Sequence, residues 1–197
     1  MISKELFFPT PVYIYDIPNP VELNRDLEKY IIEWSHKDKG VYKTNVNGWH
    51  SQTEMHRDPF VKLLVDELGK MMCEIFKEEH IEREPVLGNM WANINTEGAY
   101  NKMHIHPNTL FSGVYYVKAP LKSGILNILD PRPGAQISLP VRKKENLPSS
   151  LWKNVEFQPV AGRAIMFPGW VWHEVLPNKS KEARISISFN YIQKGFE

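Results

Sequence analysis

Residues 184–192 read RISISFNYI, and this stretch decides the fold. Ile185, Ile187, Phe189 and Tyr191 alternate with Arg184, Ser186, Ser188 and Asn190. A period of two belongs to a β-strand, whose successive side chains leave opposite faces. The apolar face is expected to pack against neighbouring elements. The polar face either meets solvent or lines the interior between sheets. In the second case Arg184 requires an anion, because an unpaired buried charge is very costly.

Outward from this strand the same signature fills the chain from about residue 85. The segments VLGNMWANIN, SGVYYVKA, GILNILDP, VEFQPV, GRAIMFPG and HEVLPN are short and β-rich, and Pro, Gly and Asn turns separate them. That pattern predicts a sandwich or a barrel-like jelly roll. Ahead of residue 85 the period changes. PVYIYDI reads as one strand. Residues 20–35 carry Leu23, Leu27, Tyr30, Ile31 and Trp34 at helical spacing behind Pro20, and residues 38–57 read as a loop or short strands around NVNGWHS. Residues 58–80 open on Asp-Pro and carry the stripe Val61, Leu64, Leu68, Met71, Met72 and Ile75, a long helix packed on a sheet. The expected fold is mainly β with flanking helices, a double-stranded β-helix (jelly-roll, cupin-like) barrel buttressed by N-terminal helices. A single domain is expected over 1–197, with the strand and supporting helices in 1–84 and the jelly-roll core in 85–197.

A chain of 197 residues is long enough to bury one such core. The formal net charge of +1 gives no electrostatic case for nucleic acid, and the basic cluster VRKKEN at 141–146 reads as a solvated loop. Cys73 is the only cysteine, so an internal disulfide and a cysteine-built zinc site are excluded. It falls in an amphipathic helical pattern and reads as a small buried apolar group. No apolar run reaches the length of a membrane span, and MISKELFFPTPVYIYDIP lacks the apolar core of a signal peptide. A cytoplasmic protein is expected, with a homodimer plausible through exposed sheet edges and the aromatic N-terminal strand.

The chemistry sits in NKMHIHPNTLFSGVYYV, residues 101–117. On a strand, His104 and His106 leave the same face and reach one ion; on a helix they diverge. A third histidine, His173, lies in FPGWVWHEVLPN on a late strand. Two ligands from one strand and a distant third from a late strand leave octahedral positions open, as non-haem iron requires. His36 and His80 flank polar helix ends, His56 sits at a helix start, and His50 in NGWHS fits packing or hydrogen bonding better than ligation. The residues alone leave three functions open: an iron oxygenase, a three-His iron or zinc enzyme, and a non-catalytic jelly-roll binding module.

HIH, SGVYYV, GILNILDPRP, GRAIMF, WHEVLPN and RISISFNYI come in the order of the Fe(II)/2-oxoglutarate-dependent oxygenases. The C-terminal half resembles the prolyl-hydroxylase branch. The whole chain, through LFFPTPV, NGWHS and FPGWVWHEVLPN, is similar to oxygenases of this family from bacteria and phages. The resemblance implies Fe(II) as metal and 2-oxoglutarate as cosubstrate, with its decarboxylation coupled to C–H oxidation, usually hydroxylation. It implies iron ligation by His104 and His173, with His106 where the family carries Asp or Glu. It implies that Arg184 clamps the far carboxylate of 2-oxoglutarate, helped by Ser186 and Tyr115, with Asn93 on the inner face. Two alternatives replace the missing carboxylate: Asn108 supplying an oxygen, or Asp130 swinging in. Trp49, His50, Trp170 and Trp172 are rim candidates. The Pro-rich segment 130–149 is expected to act as a lid. The substrate is not written in the motifs.

Overall fold

The computed structural model describes residues 2–132, 140–142 and 146–195. Ahead of residue 85 the elements are β1 (Tyr13–Asp16), α1 (Pro20–Lys37), β2 (Asn45–Val46), β3 (Trp49–His50) and α2 (Lys62–Glu78). After it come β4 (Pro85–Asn95), β5 (Tyr100–His104), β6 (Phe111–Lys118), β7 (Leu126–Leu129), β8 (Asn154–Phe157), β9 (Arg163–Pro168), β10 (His173–Val175) and β11 (Arg184–Gln193). Pro20 opens α1, where its missing N–H costs nothing. Asp58 caps a short 3-10 turn, Pro59–Val61, accepting from the Phe60 N–H at 2.8 Å, and α2 follows directly.

The strands form two antiparallel sheets. The larger runs β1-β9-β6-β11-β4-β3 and the smaller β2-β5-β10-β7-β8. They face one another but are not hydrogen-bonded into a closed barrel, so the expected jelly roll holds as two sheets. The central strand β11 shows why. Its partners are β4, with Arg184 opposite Asn95 and Ser186 opposite Asn93, and β6, with Ser186 opposite Tyr116. Ile185, Ile187 and Phe189 enter a core with Leu27 and Ile31 of α1 and Leu64, Leu68 and Met72 of α2. Arg184, Ser186 and Ser188 turn to the opposite face, into the space between the sheets. A second, smaller core closes that space, where Tyr116, Ile165 and Phe167 of the larger sheet meet Leu126 and Ile128 of the smaller.

The helices therefore cover one face of the large sheet, and the small sheet covers the other. Among the described residues no helix is long and apolar enough to cross a membrane. Half of the expected lid (130–149) and half of the basic cluster 141–146 fall on residues 133–139 and 143–145, outside the described residues.

Candidate metal and cosubstrate site

His104 ends β5 and His173 opens β10, directly opposite one another in the ladder. Directly opposite residues of an antiparallel pair share a face, so this pairing itself brings both imidazoles to one side. The next step is irregular: from His173 to Val175 β10 advances by two positions, while from His104 to Asn101 β5 advances by three. That extra residue is a β-bulge, which re-aims a side chain. With it, Asn101 and His104, of opposite parity in the sequence, both line the pocket.

His106 is reached differently from the sequence expectation. β5 stops at His104, so shared strand parity does not align the pair. His106 sits in the following loop, where its backbone N–H donates to the Gly169 carbonyl at 2.8 Å. Gly169 is required here: a Cβ on it would lie 2.6 Å from the Thr109 carbonyl and 3.1 Å from that of His106. The turn before His173 thus presses on the loop carrying His106.

The three rings converge, with centroids 4.9 Å apart for His104 and His106, 4.3 Å for His104 and His173, and 5.1 Å for His106 and His173. One ligand atom from each lies within 4.8 Å of the others. Nδ1 of His104 faces the Lys102 carbonyl at 2.7 Å, and Nδ1 of His173 faces that of Val171 at 2.9 Å. A carbonyl only accepts, so both Nδ1 atoms carry the proton and both Nε2 lone pairs are free. Burial keeps all three rings neutral. It lowers His104, lowers His106 to about 4 with the neighbouring His104 adding to the effect, and lowers His173 to about 3. Neutral imidazole is the form that ligates metal.

Arg184 lines the same pocket, 1% exposed. Nη1 donates to the Ser123 carbonyl at 2.6 Å, and the buried Nε has no partner among the described residues. Among the described residues it makes no ion pair, and burial pulls its guanidinium below the usual range. Gly124 gives it room: with φ of +97°, a Cβ there would sit 2.5 Å from Nη1 and 2.3 Å from the Leu176 carbonyl. Ser186 and Asn93 line the same pocket; Asn93 Nδ2 donates to Ser188 Oγ at 3.2 Å, and its Oδ1 has no partner among the described residues.

Tyr115 requires correction. It points into the helix-side core and its hydroxyl donates to Asn24 Oδ1 of α1 at 2.6 Å. The tyrosine in the pocket is Tyr116, opposite Ser186 across the β6–β11 ladder. Burial pushes its phenol up to about 12, with Arg184 opposing, so it stays protonated. The two tyrosines in VYYV occupy opposite faces, and the register against β11 decides which one enters.

Neither carboxylate alternative gains support. Asp130 is engaged by Arg132, at 2.9 Å from Nε and 2.7 Å from Nη2, and Asn108 occupies a left-handed turn at φ 62°. Of the rim candidates, Trp49 packs edge-on to Trp34 and donates to the Asp38 carbonyl at 2.9 Å, a structural role. Trp170 and Trp172 are about half exposed, and His50 stacks on Trp91. Trp91, Asn101, Tyr116 and Gly124 are the neighbours that sequence reasoning missed. Only Gly124 carried a local sign, a glycine opening a strand segment.

Comparison with known proteins bears on this geometry. The family model described as "Putative 2OG-Fe(II) oxygenase" matches residues 89–190, more than half of the chain. No curated protein matches in sequence. The fold is similar to a prolyl-4-hydroxylase of Pseudomonas putida, at a TM-score of 0.68 and 15% identity, covering 93% of each chain. It is also similar to the viral collagen prolyl hydroxylase of Paramecium Bursaria Chlorella virus-1, solved as a 2OG complex. There the TM-score is 0.61 with 16% identity, over 91% of this chain and 94% of that one. HygX of Streptomyces hygroscopicus, solved with nickel and 2-oxoglutarate bound, follows at 0.63 and 10%, over 94% of this chain and 84% of that one. These neighbours share the double-stranded β-helix. The chain belongs to the 2OG-Fe(II) oxygenase family, and is an enzyme that uses Fe(II) as its metal and 2-oxoglutarate as its cosubstrate.

Proposed function

We propose that His104, His106 and His173 hold Fe(II) through their Nε2 atoms. Arg184, Tyr116 and Ser186 take the far carboxylate of 2-oxoglutarate, and the enzyme hydroxylates a carbon of its substrate. The observation that carries this reading is Arg184: a cation 1% exposed, its Nε unpartnered, in the pocket of three neutral imidazoles. A buried guanidinium without an anion is unstable, and a carboxylate accepts from it through two parallel hydrogen bonds.

The donor set fits Fe(II). Three nitrogens converge, two of them with the tautomer fixed by backbone carbonyls, and imidazole is a good iron ligand. Three neutral ligands leave the ion's charge at +2, where a carboxylate would reduce it to +1, which favours an anionic chelating cosubstrate beside it. Bound there, Fe(II) and 2-oxoglutarate supply the oxidation itself, in which O₂ is reduced, 2-oxoglutarate becomes succinate and CO₂, and C–H becomes C–OH.

The protein's own part is positioning and exclusion. Arg184 sets the direction of the dicarboxylate, and protonated Tyr116 and Ser186 are placed to donate to the same end. Leu126, Phe167, Val114 and Val175 line the remainder and keep water from the reacting centre.

The test is anaerobic addition of Fe(II), then 2-oxoglutarate, to the purified apoprotein with the visible spectrum recorded. A weak charge-transfer band is expected, lost in His104→Ala and weakened in Arg184→Gln. Metal uptake with no band on adding 2-oxoglutarate would defeat the Arg184 assignment. No metal uptake would defeat the three-His assignment.

A further inference from the structure

We propose that His50 and Trp91 are positioning residues for His106, the one site histidine that no strand holds. The inference rests on the reading of His106 as a metal ligand and gives a role to the NGWHS motif, which that reading leaves unused.

The three histidines are not held alike. His104 and His173 lie on paired strands, each with Nδ1 against a backbone carbonyl. His106 lies beyond the end of β5, and its backbone is tied to Gly169. Its ring instead meets an indole: the Trp91 centroid is 5.9 Å away at an interplanar angle of 47°. Trp91 is stacked in turn on the His50 ring, at 5.4 Å and 9°. The indole thus touches both imidazoles, and the stacked His50 ring limits how Trp91 can move against His106.

His50 is not free to yield. It is 4% exposed and sits opposite Asn93 on β4, with Trp49 opposite Ile94. Ser51 closes the join with two bonds to one residue. Its N–H donates to the Ala92 carbonyl at 3.0 Å, and its Oγ accepts from the Ala92 N–H at 2.9 Å. Gly48 allows the approach, because a Cβ there would lie 3.0 Å from the Ile94 carbonyl. Each residue of GWHS thereby has a part. Glycine and serine zip the segment onto β4, tryptophan fixes it to α1 through Trp34, and histidine backs the indole. Residues that orient metal ligands from behind typically contribute about 10- to 100-fold to metal affinity.

The experiment is anaerobic titration of the full-length apoprotein with Co(II), read from its visible d–d bands, with thermal melting of each apoprotein as the folding control. Trp91→Ala is expected to weaken Co(II) binding about 10-fold and to alter the band envelope, and Trp91→Phe to recover most of both. His50→Ala is the second variant and leaves the pocket wall in place. It is expected to weaken binding in the same direction by a smaller factor. The decisive comparison is made in His106→Ala, where adding Trp91→Ala or His50→Ala is expected to change affinity no further. Equal losses in both backgrounds, or wild-type affinity in Trp91→Ala and His50→Ala, would overturn the proposal while leaving the metal site standing. Co(II) binding undiminished in His104→Ala would remove the metal assignment itself, and this proposal with it.

Discussion

Arg184 shows how much one side chain constrains. Its charge is 1% exposed, its Nη1 is committed to the Ser123 carbonyl, and its Nε awaits a partner. Arg184→Gln keeps a polar side chain and removes the charge, so the KM for 2-oxoglutarate is expected to rise by about 10- to 100-fold. The estimate corresponds to the loss of one or two charge-assisted hydrogen bonds. Steady-state assays of 2-oxoglutarate turnover check this, and an unchanged KM would show that the dicarboxylate lies elsewhere. Gly124 makes a second test, because an added Cβ there would press on both the Arg184 guanidinium and the Leu176 carbonyl. Gly124→Ala places a methyl 2.5 Å from Nη1 on a backbone with φ of +97°. It is expected to cost about 1–3 kcal/mol of stability in urea unfolding and to weaken 2-oxoglutarate binding in the same direction as Arg184→Gln.

Strands β5 and β6 translate sequence into site by opposite means. In β6 simple alternation between neighbours sends Tyr115 to the helices and Tyr116 to the pocket. Tyr116→Phe is therefore expected to weaken 2-oxoglutarate binding several-fold, in line with one hydrogen bond of about 0.5–1.5 kcal/mol. Tyr115→Phe is expected to leave cosubstrate affinity alone and to lower stability by about 1 kcal/mol through its lost bond to Asn24. Calorimetric titration with 2-oxoglutarate on both variants separates the faces, and a reversed pattern would reject the register argument. In β5 alternation is broken by the bulge, and only that break brings His104 onto the face of Asn101.

At the scale of the whole molecule, the space between the sheets holds polar groups that two apolar cores surround. This has a consequence for acid stability. His106 and His173 are depressed to about 4 and about 3 by burial, below the 6.5 of the unfolded side chain. Between those values the unfolded chain binds more protons than the folded one. The stability gained by keeping the rings neutral is full above pH 6.5 and is lost as pH falls toward 3. Each histidine contributes a slope of up to ~1.4 kcal/mol per pH unit in that window. Urea unfolding of the apoprotein between pH 7 and 4.5 is expected to show declining stability, with a shallower decline in His173→Gln. Equal slopes in the two proteins would mean that His173 is not buried neutral.

The sequence alone determined whatever depends on local period and residue type. Alternation in RISISFNYI fixed β11 and put Arg184 and Ser186 on one face, helical spacing fixed α1 and α2, and the motif order pointed to the family. It also marked three histidines and one arginine as the residues with chemistry to do. What depends on register between distant segments was decided only in three dimensions. The identity of Tyr116 over Tyr115 rests on pairing with Ser186, 70 positions away in the chain by their numbering. The route of His106 into the site rests on a carbonyl of Gly169, and the use of NGWHS rests on its zipper to Ala92. A two-residue period tells which side chains share a face, but the face that meets the pocket is set by neighbours the local sequence does not contain.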